Sequence, residues 1–345
     1  MNVLGQVSAD GLWEWDGQRW APRTGGPPPP PAPRDAPAPP TDEGFPEGLG
    51  SPEPLTVPRQ GWRLTLHRLT RINLGPSAAE LHERELVARV RARISGCRRV
   101  AIISRKGGIG KTTTIVGLGH IFASHRGDRV VALDANPDAG SLASRVERET
   151  ASTLTELLAG LEGIRAYSDL RAHTSQAASR LEVVASDNDP AISEAVGEEG
   201  YRRALGALER FYNLILVDTG TGVLDPATQG ILRIADQLVV CAAPSIDGGR
   251  VASLTLDWLN EHGYAEMARQ SVVVMNQLGG DPRTDAALIE RHFARRTRAL
   301  VRVPWDPHLA RGGPVEVDLL RPATRLAYLT LAAAVADGFG LDSRP

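Results

Sequence analysis

The sequence predicts an α/β fold, a mostly parallel, doubly wound sheet flanked by helices, preceded by a Pro-rich N-terminal region that does not fold. Three observations carry this reading. Short apolar, β-branched runs alternate with helical stretches from Arg99 onward. A Gly-rich loop, residues 105–110, joins the first of these runs to a helix. Two further apolar runs end in an acid, Asp134 and Asp218, at the end of a strand where open α/β sheets present ligands.

The strands expected are Val100–Ser104, Val130–Leu133, Leu181–Ala185, Leu214–Val217, Leu238–Ala242, Val272–Met275 and Leu300–Val303. Each is apolar on both faces, as strands buried between two helical layers must be. Helices are expected at about 112–125, 201–210, 248–262, 284–294 and 322–338. The 345 residues, 42% of them apolar, suffice for one large domain or two modest ones.

Upstream, the chain divides into three. Residues 1–21 hold Trp13, Trp15 and Trp20 in a short Trp-rich segment. It resembles the Trp-Asp-Gly-x-x-Trp segments of actinobacterial membrane-associated proteins. Residues 22–58 are Pro, Ala, Gly and acid, too poor in apolar surface to fold, and read as a linker with polyproline character. Residues 59–96 read as a helical extension to the main domain at 97–345. In it, Trp62, Leu66, Leu69 and Ile72 are mixed with Arg63, Arg68 and Arg71, a pattern that fits either a helix packed on the following domain or a basic amphipathic helix for a membrane surface or partner. Ser77 caps a second helix running to about Ile94, with Glu80 at the capping-box position.

Composition removes several functional classes. The formal net charge of −2 asks for no nucleic acid or anionic membrane as partner. Cys97 and Cys241 stand alone, so neither a disulfide framework nor a zinc or iron–sulfur site is expected, and a reducing cytoplasm suits the chain. No signal peptide and no run of roughly 20 apolar residues is visible.

Lysine usage is more informative. Arginine supplies the positive charge almost everywhere, yet Lys106 and Lys111, the two lysines of the chain, lie in one loop. The two cations are interchangeable on a wet surface but not where a compact ammonium must enter a crowded phosphate site. Strand, Lys106-Gly107-Gly108-Ile109-Gly110-Lys111-Thr112-Thr113 and helix together define a phosphate loop, and with it a P-loop NTPase fold. Its backbone N–H groups and the helix N-terminus favour an anion. Lys111 is expected on the β- and γ-phosphates of ATP, and the Thr112 hydroxyl on Mg²⁺. Arg105 stands where the standard motif has glycine. Asp218, ending its apolar strand, is expected to hold Mg²⁺ through water, and the following Thr219-Gly220-Thr221-Gly222 is a candidate γ-phosphate sensor.

The form Lys-Gly-Gly-x-Gly-Lys-Thr-Thr is similar to the deviant loop of the MinD/ParA superfamily, a resemblance covering about residues 98–340. It implies an ATP-sandwiched homodimer in which Lys106 reaches the other subunit's nucleotide. It also implies Asp134 near Mg²⁺, and a second carboxylate two residues on that positions the attacking water. Here that position is Asn136, which can orient a water but cannot take its proton. Hydrolysis is then slow, absent or assisted by Asp138, while a turn role for Asn136 is equally open. By the same resemblance Asn276 would contact adenine and Pro304-Trp305-Asp306 would line the base, unless both are plain turn chemistry. Arginines 291, 295, 296, 298 and 302 could meet DNA phosphates, as in partitioning relatives, or form a solvated face.

Gln60-Gly61-Trp62-Arg63, residues 69–75, residues 169–175 and Ser245-Ile246-Asp247-Gly248 resemble the ATPase region of type VII secretion-associated proteins of mycobacteria. That resemblance implies a cytoplasmic ATPase, peripheral at the inner face of the membrane, with a protein partner recruited through the N-terminal region and a link to membrane-associated machinery.

Overall fold

A computed structural model of the chain describes residues 5–8, 13–22, 57–58, 61–136, 140–187, 189–220, 222, 225–276 and 286–340. The chain divides into two compact units, Met1–Pro54 and Leu55–Pro345. In the first, β1 (Trp13–Trp15) pairs antiparallel with β2 (Trp20–Pro22). The turn between them is held by Asp16, whose carboxylate accepts from the N–H groups of Gln18 and Arg19 at 2.8 Å each. The expected Pro-rich linker lies largely outside the described residues.

The second unit is built on β3 (Arg98–Ile103), β4 (Val130–Ala135), β5 (Ser175–Gln176), β6 (Glu182–Val184), β7 (Leu214–Thr219), β8 (Gln237–Ala242), β9 (Val272–Asn276) and β10 (Ala299–Val303). Their order is β10-β9-β8-β3-β7-β4-β6-β5, parallel throughout except for the antiparallel β5. All seven strands expected from sequence are present, joined by the two-residue β5.

Alternation along each strand fills two cores. Val100, Ile102, Leu216, Val239 and Val274 face one side, against helices Ala78–Val90, Lys111–His125 and Pro322–Ala336. Ala101, Ile103, Val217, Val240 and Val273 face the other, against Pro190–Leu208 and Ile246–Glu261. Helix Lys111–His125 buries Thr114 through Ala123 without a polar stripe, so it runs through the interior and not along the surface.

Some boundaries differ from the expectation. The second upstream helix stops at Val90, and the stretch Pro190–Leu208, capped by Asp189 and opened by Pro190, is two helices broken at Gly197 (φ 57°), so the helix expected from residue 201 starts just after that break. Pro226–Ile234 and Leu154–Gly160 are helices the periodicity did not reveal. Helix Gly61–Thr70 has no fully buried residue, so packing on the domain is slight.

The consequence for the site is positional. β3 lies between β8 and β7, where the chain's connections diverge to the two halves of the sheet, and the loop after β3 opens at that crevice.

Candidate functional site

The loop after β3 turns through left-handed backbone at Gly108, φ 72°, and Gly110, φ 86°, before helix Lys111–His125 begins. Gly110 is doubly constrained. A Cβ there would stand 2.9 Å from Nδ2 of Asn276, besides demanding a strained φ. Ser104 holds the loop's start, its hydroxyl accepting from the Lys106 N–H at 3.0 Å and donating to the Lys106 carbonyl at 3.0 Å.

Asn276 closes the loop from the β9 side. It is 3% exposed, and its amide nitrogen donates to the carbonyls of Ile109 at 2.9 Å and Gly110 at 3.3 Å and to the Thr114 hydroxyl at 3.0 Å. A residue expected at the base thus braces the phosphate loop from beneath. Beside it, Thr113, Asn276, Val303, Pro304, Trp305 and Tyr328 line a small hollow, which brings the expected base-lining turn next to the loop. Within that turn Asp306 is buried, and its carboxylate accepts from the N–H groups of His308 and Arg321, both at 2.9 Å. Burial pushes this carboxyl up, but those N–H bonds outweigh it and hold it below its ordinary value. The role of Asp306 in this structure is to fix the turn, while Pro304 and Trp305 form its wall.

The acids meet across the ladder. Asp134 and Asp218 are register partners at the ends of β4 and β7, 0% and 2% exposed. The Thr112 hydroxyl donates to Asp218 Oδ2 at 2.7 Å. Asp134 accepts from the N–H groups of Leu142 at 3.0 Å and Asn136 at 3.2 Å. Burial pushes both carboxyls above their ordinary range. The charge of Asp218 adds to the rise at Asp134, while the Thr112 hydroxyl and the Lys111 ammonium oppose it at Asp218. Asp218 Oδ1 is buried without a hydrogen-bond partner. Two buried acids and an unsatisfied oxygen beside a hydroxyl form an oxygen donor set short of one cation, and Thr112, Asp134 and Asp218 fit a Mg²⁺ ion there.

Sequence reasoning missed several supporting residues. Gly140 lets the chain pass over Asp134, since a Cβ would fall 2.0 Å from Asp134 Oδ2. Ser141 donates to the Thr112 hydroxyl at 3.2 Å. Asp247, at the start of helix Ile246–Glu261, takes the ammonium of Lys106 at 2.5 Å, and the two side chains are 67% and 45% exposed. The only hint of this was the quoted Ser-Ile-Asp-Gly run. Asn136 lies at the rim of the pair, half-buried, its backbone turned back onto Asp134. Asp138 and Thr221 lie outside the described residues. Of the basic stretch, Arg296 is paired with Asp257 and Arg302 with Glu290, and Arg298 is half-buried, which leaves Arg291 and Arg295 exposed.

A braced Gly-rich loop on a buried helix, with two acids at neighbouring strand ends, defines a nucleotide-binding domain of the P-loop class. Residues 100–313 match the family described as CbiA, the CobQ/CobB/MinD/ParA nucleotide binding domain, and the chain belongs to that family. More particularly, it is 42% identical over 286 residues to the ESX-1 secretion-associated protein EspI of Mycobacterium tuberculosis. The match takes in 82% of this chain and 43% of that relative, so the chain spans less than half of the relative's length. It is also 29% identical to the Maintenance of carboxysome distribution protein A of Gloeobacter kilaueensis, over 43% of this chain and 50% of that one. Among solved structures, the ParA family ATPase from Chlorobium tepidum superposes with a TM-score of 0.59 at 18% identity, covering 68% of this chain and 98% of that one. The septum site-determining protein MinD of Pyrococcus horikoshii, complexed with Mg-ADP, gives 0.53 at 20% identity over 68% of this chain and 94% of that one. These likenesses establish the fold.

Proposed function

We propose that the chain is an ATP- and Mg²⁺-dependent dimerisation switch that hydrolyses ATP slowly and regulates or positions a partner. The observation that carries it is the place of Lys106. Lys111 is 9% exposed beside its own loop, whereas Lys106 leaves that loop and ends in solvent on Asp247. An ammonium held outside its own phosphate site supports a role on the nucleotide of a second copy, where it would offset charge developing on the transferred phosphoryl group. Gly107, Gly108, Ile109, Gly110, Lys111, Thr112 and Thr113 hold the phosphates, and the hollow by Pro304 takes the base.

Turnover rests on Asn136. Its amide can orient a water, but a proton from that water must go elsewhere, so the reading is slow hydrolysis. The secretion setting is supported by the likeness to EspI, in which case the N-terminal region recruits the partner at the inner face of the membrane. DNA is the less favoured partner because, of its five candidate arginines, Arg296 and Arg302 are paired within the fold and Arg298 is half-buried.

Light scattering of the full chain with ATP, ADP or no nucleotide tests the switch. Mass should double with ATP and return to the monomer value in Lys106→Ala. A dimer indifferent to both nucleotide and Lys106 sinks the proposal. Phosphate release, raised by Asn136→Asp, separates slow turnover from a scaffold that binds nucleotide and never cleaves it.

A further inference from the structure

Helix Gly61–Thr70 and the turn after it present an apolar surface that nothing in the described structure covers. Trp62 is 66% exposed, Leu69 80%, Ile72 55% and Leu74 45%. Trp62 and Leu69, seven residues apart, share one helix face, and Ile72 and Leu74 extend the surface past the helix end. The element is held in shape by Arg63, whose guanidinium donates to the carbonyls of Gly75 at 3.4 Å and Pro76 at 3.2 Å and lies 5.7 Å from the centroid of the Trp62 ring.

Its charge is one-sided. No Asp or Glu occurs between Glu53 and Glu80, whereas Arg59, Arg63, Arg68 and Arg71 fall within that stretch. Arg68 and Arg71 are exposed. Arg71 is the more telling, because it closes the helix with a left-handed φ of 60°, its N–H donating to the His67 carbonyl at 2.9 Å. That position ordinarily falls to glycine, and an arginine there keeps a cation at the cost of backbone strain.

We propose that residues 61–74 bind the surface of an anionic lipid bilayer, Trp62, Leu69, Ile72 and Leu74 entering the headgroup boundary while Arg68 and Arg71 meet lipid phosphates. Apolar and cationic side chains interleaved within so short an element suit a boundary that is apolar beneath and negative above. Tryptophan is favoured at that depth. No helix among the described residues is long and apolar enough to cross a membrane, so the contact is peripheral. It does not depend on nucleotide and stands apart from the dimer reading.

The test is flotation of the full, nucleotide-free chain with vesicles of phosphatidylcholine alone or of equal parts phosphatidylcholine and phosphatidylglycerol, at low and high salt. The chain should float with the anionic vesicles, and salt should release it. Arg71→Gly should weaken binding about fivefold while leaving the thermal midpoint unchanged or higher, since it removes a cation and the strain together. Leu69→Ser should also lose binding. Equal flotation with both vesicle types, or variants that float like the parent, overturns the proposal. So does lipid-free self-association that Leu69→Ser abolishes, which would assign the face to a protein contact.

Discussion

Lys106 and Asp247 face each other across the crevice, ammonium to carboxylate at 2.5 Å, although they lie 141 residues apart in the chain. Hydrogen bonding to the Lys106 ammonium holds the Asp247 carboxyl below its ordinary range. Both side chains are exposed, and water screens such a pair so that it contributes little. The contact parks the lysine without locking it. Asp247→Asn should therefore shift the ATP concentration at half-dimerisation by no more than about fivefold, against complete loss in Lys106→Ala. Titrating ATP against light scattering for the three proteins checks this.

Asn276 supports the phosphate loop through its amide. Replacing it with alanine leaves the Ile109 and Gly110 carbonyls short of a donor, worth about 1–3 kcal/mol, or roughly 5- to 150-fold in nucleotide affinity. The loss should be equal for ATP, GTP and inorganic triphosphate, because the defect lies under the phosphates. A loss confined to ATP would mean that Asn276 acts on the base instead.

Gly140→Ala should uncouple Mg²⁺ from nucleotide binding. The added Cβ would fall 2.0 Å from Asp134 Oδ2, so either Asp134 or the backbone must move. The expected result is loss of the difference in ATP affinity with and without Mg²⁺, read by calorimetry, while the thermal midpoint falls by several degrees.

His120 makes an acid-side prediction. It is 2% exposed on helix Lys111–His125, with Nδ1 2.6 Å from the Ser179 hydroxyl, and burial pushes its pKa down from 6.5 to about 4, partly opposed by Val315. The unfolded chain therefore takes up a proton here that the folded chain refuses. Stability from this group is present above the unfolded value and is lost as pH falls toward 4, by roughly 3 kcal/mol in all. His120→Gln should flatten the fall in denaturation midpoint over that interval, measured against the parent at each pH.

The sheet was legible because buried parallel strands repeat a simple apolar pattern, and the phosphate loop because few chemistries need two lysines among glycines. Pro226–Ile234 escaped because it is only nine residues long, too short for its apolar periodicity to stand out from its flanks. Asp247, Gly140 and Asn276 escaped, or were given another task, for a deeper reason. Their work depends on neighbours far along the chain, and a linear reading names a residue's chemistry without naming what it touches. Asn276 shows this best: a polar residue at a strand end was recognisable, but the loop carbonyls it serves lie more than 160 residues away.

The sheet ends at β5, two residues paired antiparallel to β6. Beneath this end Glu182 is buried and accepts hydroxyls from Tyr167 and Tyr212 at 2.5 Å and from Thr174 at 2.8 Å. So short a border offers no template for another chain's backbone. Growth of this protein into filaments by adding sheet to sheet is closed on that side.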